Sequence, residues 1–277
     1  MRIAQQRGGE IVSADSRQVY RGMDIGTAKP TRQERDLVPH HMIDVADPSE
    51  RYDVSRYQRE ARAVLADLQR RGMRAIVVGG TGLYVRALLD GLDLASLPRD
   101  PTLRARLEED ARRDGGEALH SRLAVLDQEA AAAVDARNVR RVIRYLEVAT
   151  IAGTVSRFWR GGERMPARKI GLRVAPEVLA VRIEQRVRDM VERGVLREAA
   201  RLVASEIDPS LPSMSGHGYP HWVRHLRGEI DLESATALAV RDTRAYSKRQ
   251  MTWFRKDPDI RWCDPTTEDA LALAIAA

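Results

Sequence analysis

The chain has 277 residues, a net charge of +6 and 43% apolar residues, which is typical of a soluble globular protein and excludes a disordered one. No apolar stretch reaches the roughly 18 residues that a transmembrane helix needs, and the N-terminus shows no signal-peptide pattern. The single cysteine, Cys263, excludes an internal disulfide. We therefore expect a cytoplasmic protein with no membrane segment.

The positive charge is concentrated in two segments. Residues 137–169 contain nine basic and two acidic residues, and residues 243–256 contain five basic residues and no acidic one. The remainder of the chain has a net charge of −6. Such local concentration indicates a surface that binds a polyanion, although a general bias toward arginine would give the same clustering by chance.

The first third of the chain alternates between strand and helix patterns. The apolar patterning predicts strands over residues 10–15 and 75–78, and helices over 55–72 and 83–89. Ser55 is the expected N-cap of the first of these helices. The second strand runs into the glycine turn 79–82 and then a helix, an order that indicates a parallel α/β sheet. Such sheets bind ligands at the carboxyl ends of their strands, where Asp15 and Thr81 are expected to lie.

The middle of the chain is helical by composition. Helices are predicted over residues 102–114, 117–126, 128–134 and 139–151. We interpret residues 97–168 as a helical insertion between two parts of an α/β core, residues 1–96 and 169–277. The second part is expected to contain a strand over 169–174 and one long amphipathic helix over 176–204.

Taken one by one, the candidate site residues allow two interpretations each. A carboxylate at a strand end, such as Asp15, often serves only as a cap or a structural acceptor. The glycine turn can offer N–H groups and the Thr81 hydroxyl to a phosphate, but tight turns of this kind use glycine in any case. Arg182 and Arg186 share one helix face, which is ordinarily solvated. The histidines have no metal-ligand spacing, and no metal site is predicted in this chain.

Read together, several strings resemble one family, the bacterial tRNA dimethylallyltransferases, also called tRNA isopentenyltransferases. The resemblance covers almost the whole chain and rests on five motifs, at residues 13–30, 39–44, 78–84, 138–144 and 243–255. It implies a P-loop-NTPase-like parallel core carrying a helical insertion that binds the anticodon stem-loop of tRNA. It also implies a monomeric, Mg²⁺-dependent enzyme that transfers a dimethylallyl group from dimethylallyl diphosphate to N6 of adenosine 37.

The resemblance also implies roles for individual residues. Asp15 matches the catalytic aspartate that accepts the N6 proton, and Thr81 and Arg186 match residues that bind the diphosphate. The positions that match tRNA contacts are Asp15, Ser16, Arg17, Gln18, Thr81, Arg104, Arg140, Arg141, Val142, Ile143 and Arg144. Five of these positions, residues 140–144, fall in the first basic segment.

The chain departs from the family at its start. Members carry a glycine-rich P-loop before the first Ala-Asp-Ser strand, whereas the first lysine here is Lys29. We expect a misassigned start or a truncation, and a chain of low stability and negligible transferase activity until the loop is restored. Three alternatives stay open: an inactive tRNA-binding fragment, an adenylate isopentenyltransferase acting on a free nucleotide, and a P-loop nucleotide kinase.

Overall fold

The computed structural model describes residues 1–94, 96–159, 163–216 and 218–265. The chain forms two compact units, one built from Met1–Val85 with Ala167–Ala277 and the other from Arg86–Pro166. The first unit contains parallel β-structure with helices, and the second is helical. The predicted α/β class is confirmed.

The secondary structure follows in chain order. Among the described residues the strands are β1 (Gly9–Ser13), β2 (His40–His41), β3 (Arg74–Val78), β4 (Lys169–Leu172) and β5 (Ile260–Cys263). The α-helices are α1 (Arg2–Arg7), α2 (Arg32–Leu37), α3 (Val54–Arg70), α4 (Gly82–Leu89), α5 (Pro101–Asp114), α6 (Gly116–Leu126), α7 (Gln128–Ala132), α8 (Val139–Ala152), α9 (Pro176–Glu192), α10 (Val195–Ala204), α11 (Tyr219–Leu226) and α12 (Leu232–Phe254). None of these helices is long and apolar enough to cross a bilayer.

The first unit contains a three-stranded parallel sheet in the order β2-β1-β3. Ile11 pairs with Ile76 and Ser13 with Val78, so β1 and β3 end at the same edge. Every residue of β1 is buried, as expected for a parallel strand rich in branched apolar residues. β3 is an edge strand of this sheet, and Val78 at its end is 51% exposed. β4 and β5 form a separate parallel pair.

Helix α3 packs against this sheet through an apolar face. Tyr57, Ala61, Leu65 and Leu68 are buried at helical spacing, and the Tyr57 hydroxyl donates to the Ser13 carbonyl oxygen at 3.1 Å. The predicted N-cap at Ser55 is wrong. Asp53 caps the helix, because its side chain accepts a hydrogen bond from the N–H of Arg56 at 2.9 Å, three residues further on.

Two other sequence-based predictions in this unit need correction. The helix over 176–204 is two helices, α9 and α10, because Gly194 between them has a φ of 94° that ends the helical path. The sequence analysis also missed β2, which is two residues long, and β5.

The second unit has its own core. Its predicted helices are confirmed as α5 to α8, with ends shifted by one or two residues. The core includes Leu107, Leu119, Leu123, Leu146 and Phe158. The buried carboxylate of Asp127 accepts from the backbone N–H groups of residues 130, 155 and 156, which ties α7 to the segment after α8.

Candidate active site

Asp15 lies immediately beyond the carboxyl end of β1. Its Oδ1 accepts hydrogen bonds from the N–H groups of Arg17 at 2.7 Å and Gln18 at 3.3 Å, which closes a turn after the strand. The side chain is half-buried, and Oδ2 has no hydrogen-bond partner among the described residues. One carboxylate oxygen is thus fixed by the main chain, while the other is available to a ligand.

The glycine turn after β3 lies directly against the Asp15 turn. The N–H of Thr81 donates to the Ala14 carbonyl oxygen at 3.1 Å, and the N–H of Ser16 donates to Thr81 Oγ1 at 3.0 Å. Gly79 is required here, because a Cβ at this position would lie 2.2 Å from the Ala14 carbonyl oxygen. The structure therefore places Asp15 and Thr81 at one edge of the sheet, in neighbouring turns.

Helix α12 covers the glycine turn. Gln250 Nε2 and the Tyr246 hydroxyl both donate to the Gly80 carbonyl oxygen, at 3.0 and 3.4 Å. Both residues belong to the motif at 243–255, which the sequence analysis read mainly as a basic segment. The four-residue spacing of Tyr246 and Gln250, which places both on one face of a helix, was the available signal for this contact.

The side chains of Arg17 and Gln18 both make structural contacts within the first unit. The Arg17 guanidinium donates to the Pro212 carbonyl oxygen. Gln18 accepts from the Ser13 hydroxyl at 3.2 Å and donates to the carbonyl oxygens of Thr27 and Ala28 at 3.4 and 3.3 Å. Both residues therefore hold the site together, whatever further contact they make.

Arg186 lies on α9 and lines a cavity of about 390 Å³. The other lining residues are Ala28, Arg182, Gln185, Asp189, Met190 and Arg193. Three arginines and one aspartate give this wall a positive charge suited to a phosphate group. The cavity adjoins the Asp15 turn through Ala28, whose carbonyl oxygen accepts from Gln18.

The predicted RNA-contacting residues of the second unit divide into two groups. Val142 and Ile143 are 0% and 7% exposed in the helical core, so their side chains are not available to RNA. Of the arginines, Arg140 is exposed and makes no ion pair with another described residue, whereas Arg141 packs over the Tyr145 ring and donates to its hydroxyl. The side chains of this segment that can reach RNA are thus those of its arginines, and contact at Val142 and Ile143 stays a prediction.

Arg104 and Arg144 share one buried acid, Glu147. Glu147 Oε2 lies 2.5 Å from Arg104 and 2.7 Å from Arg144, and Oε1 accepts the N–H of Asp100 at 2.9 Å. Burial raises the pKa of Glu147, but these hydrogen bonds outweigh it and hold the pKa below its ordinary value. Both guanidinium groups are thus held in place by one buried acid.

The described residues do not form a metal site of their own. No group of three or more His, Cys, Asp or Glu side chains within the described ranges could hold a metal ion. His221 instead lies 2.8 Å from Asp242 in an ion-pair geometry. The Mg²⁺ implied by the resemblance therefore has no protein-only cage in this part of the chain.

Fold and site together define a parallel α/β protein with a carboxylate and a glycine turn at one sheet edge, beside an arginine-lined cavity. The family model for IPP transferases matches residues 18–257. A tRNA dimethylallyltransferase of Thermomicrobium roseum is 44% identical over 266 residues, which cover 95% of this chain and 81% of that protein.

Two solved structures are similar to the chain over 99% of its length. A full-length tRNA isopentenylpyrophosphate transferase from Bacillus halodurans has a TM-score of 0.71 and 39% identity, with 88% of that chain covered. A eukaryotic dimethylallyltransferase acting on tRNA has a TM-score of 0.79 and 27% identity, with 72% covered. The chain belongs to the IPP transferase family, and its first unit is the expected P-loop-NTPase-like core.

Proposed function

We propose that this protein is a tRNA dimethylallyltransferase that acts in the cytoplasm as a monomer. It transfers the dimethylallyl group of dimethylallyl diphosphate to N6 of adenosine 37 in tRNA. The observation that carries this proposal is the contact between the Asp15 and Thr81 turns at one sheet edge, in a chain that belongs to the family.

Asp15 is the general base of this reaction. The N6 atom forms a bond to C1 of the dimethylallyl group, while the bond from C1 to the diphosphate oxygen breaks and the diphosphate leaves with the electron pair. N6 then holds a surplus proton, which passes to Asp15. Because Oδ1 is held by two backbone N–H groups, Oδ2 is the oxygen that faces the amino group.

Thr81 and Arg186 act on the diphosphate side. The Thr81 hydroxyl lies beside the Asp15 turn, and the cavity of Arg186 adjoins that turn through Ala28. A guanidinium group pairs well with phosphate oxygens and with the charge that develops on a leaving diphosphate. Magnesium, which the resemblance implies, would be brought mainly by the diphosphate itself, since Mg²⁺ commonly binds through phosphates with few protein ligands.

The tRNA is recognised by the arginines of the second unit. Arg104, Arg140, Arg141 and Arg144 are the candidates for phosphate contacts, and adenosine 37 must leave its stack to reach a half-buried carboxylate. A free adenine nucleotide as acceptor is not favoured, because the relatives named above are transferases of tRNA.

The test is transfer of labelled dimethylallyl to unmodified tRNA by purified Asp15→Asn protein, compared with the wild type, both with the P-loop restored. We expect transfer to fall by roughly 10²- to 10⁴-fold, the usual contribution of a general base, with tRNA binding retained. Asp231→Asn is the matched control, because the Asp231 carboxylate also accepts a backbone N–H, from Ser234 at 2.6 Å, but only caps α12. Transfer by Asp15→Asn at the level of the control would refute the assignment.

A further inference from the structure

Glu198 on α10 is a buried carboxylate that the proposed reaction does not use. It is 1% exposed and accepts three backbone N–H groups, those of Asp24 at 2.7 Å and of Ile25 and Gly26 at 2.9 Å each. The Tyr219 hydroxyl donates a fourth hydrogen bond, at 2.6 Å. The Glu198 carboxylate therefore fixes the main chain of the loop that contains these three residues.

The loop that it fixes, residues 23–29, connects the two halves of the candidate active site. Gln18 donates to the carbonyl oxygens of Thr27 and Ala28 at one end, while its own N–H donates to Asp15 Oδ1. Ala28 also lines the arginine cavity. A displacement of the loop would therefore reach both the general base and the diphosphate side.

A second buried group joins the two ends of the loop. Lys29 Nζ, whose side chain is 1% exposed, lies 2.7 Å from Asp24 Oδ1 and 2.6 Å from Asp44 Oδ1. Charged contacts therefore join Asp24 and Lys29, and Glu198 holds the main chain of residues 24–26.

Tyr219 supports the same loop from the side. A Cβ on Gly26 would lie 2.7 Å from the Tyr219 ring, so ring and loop are in close contact. Burial, together with the charge of Glu198, raises the pKa of Tyr219, and its hydroxyl stays a donor at neutral pH.

We propose that Glu198, assisted by Tyr219, is a positioning residue for the transfer reaction, which holds the 23–29 loop so that Gln18 and Ala28 set the Asp15 turn and the wall of the arginine cavity. This inference rests on the proposed function for its catalytic consequence. Its structural part, the coupling from Glu198 to the Asp15 turn, does not depend on the substrate.

The coupling is tested by amide hydrogen exchange of the protein without substrate. In Glu198→Gln the side-chain NH₂ group cannot accept a hydrogen bond, so at least one of the four groups that donate to Glu198 loses its acceptor. We expect faster exchange at residues 24–26 and, through the loop, at the N–H groups of Arg17 and Gln18. Tyr219→Phe keeps the ring and should give a smaller change at the same sites.

The matched control is Asp127→Asn in the other unit. Asp127 is likewise buried and accepts three backbone N–H groups, but all three donors belong to the second unit. It should lower the thermal midpoint without changing exchange at Arg17 or Gln18. Unchanged exchange at these two residues in Glu198→Gln would overturn the inference.

The catalytic consequence is measured as transfer per folded molecule. We expect Glu198→Gln to reduce kcat by roughly 10- to 100-fold, the effect of an ångström-scale misplacement, and to raise the KM for dimethylallyl diphosphate. A loss no greater than that of Asp127→Asn would show that Glu198 is merely structural. Absence of transfer by the wild-type protein with the P-loop restored would refute the proposed function instead, and exchange would still decide the coupling.

Discussion

The arginines of the second unit allow RNA contact and structural support to be separated by single substitutions. Arg140 is exposed and has no acidic partner among the described residues, so Arg140→Ala should leave stability within about 0.5 kcal/mol of the wild type. If Arg140 contacts one phosphate, its loss should reduce the slope of log affinity against log salt by about 0.7 to 0.9.

Arg144→Ala should behave in the opposite way. Arg144 is 26% exposed and donates to Glu147, which is 1% exposed, at 2.7 Å and to the Pro98 carbonyl oxygen at 2.8 Å. Loss of one hydrogen bond to a buried charge costs about 1.5–3 kcal/mol, at the lower end here because Arg104 and the Asp100 N–H remain. At roughly 2–4 °C for each kcal/mol, the thermal midpoint should fall by several degrees.

The assay is titration of a fluorescent anticodon stem-loop at several salt concentrations, alongside thermal unfolding of each variant. Arg137→Ala is the matched control, because Arg137 is an exposed arginine of the same segment whose charge is already paired with Asp135. It should change neither the salt slope nor the midpoint. If the salt slope of Arg140→Ala equals that of the wild type, phosphate contact at this residue is refuted.

Three further predictions concern the first unit. The pKa of Glu10 is lowered to about 2, chiefly by hydrogen bonds from Arg71. The contribution of Glu10 to the stability of the fold is therefore complete above the ordinary glutamate pKa. It is lost as the pH falls from about 4.5 toward 2. Glu10→Gln should thus lower the thermal midpoint at pH 7 but hardly at pH 2. Gly79→Ala, with its Cβ against backbone, should cost at least about 1–3 kcal/mol and remove transfer, as measured by unfolding and transfer assays. Arg186→Ala should weaken the binding of inorganic pyrophosphate by roughly tenfold or more, as measured by calorimetry. Arg188→Ala is the control and should leave this binding unchanged, because Arg188 only pairs with the exposed Glu184.

Sequence reasoning predicted the sheet edge because its signals are local. The branched apolar run before Asp15 and the glycine turn before Thr81 each define a strand end, and parallel strands bring such ends together. Helix ends were predicted to within a few residues for the same reason. The break at Gly194 was missed because the apolar periodicity continues across it. Only the backbone shows the break, since the φ of Gly194 is positive.

The burial of the supporting acids could not be predicted in the same way. Glu147 and Glu198 each lie on an amphipathic helix, where a glutamate ordinarily faces solvent. Their burial depends on partners far along the chain, Arg104 for the first and the N–H groups of residues 24–26 for the second. The spacing of residues along the sequence does not indicate such long-range pairings, which form only when the helices and loops pack together.

The outer position of β3 has a consequence for how the protein behaves at high concentration. The strand carries Ile76, Val77 and Val78 in succession, and among the described residues it pairs with β1 on one side only. An open apolar edge of this kind is a template for pairing with a strand of another molecule. Two copies paired through β3 would each place a glycine turn at the joint, so self-association there would obstruct the candidate active site.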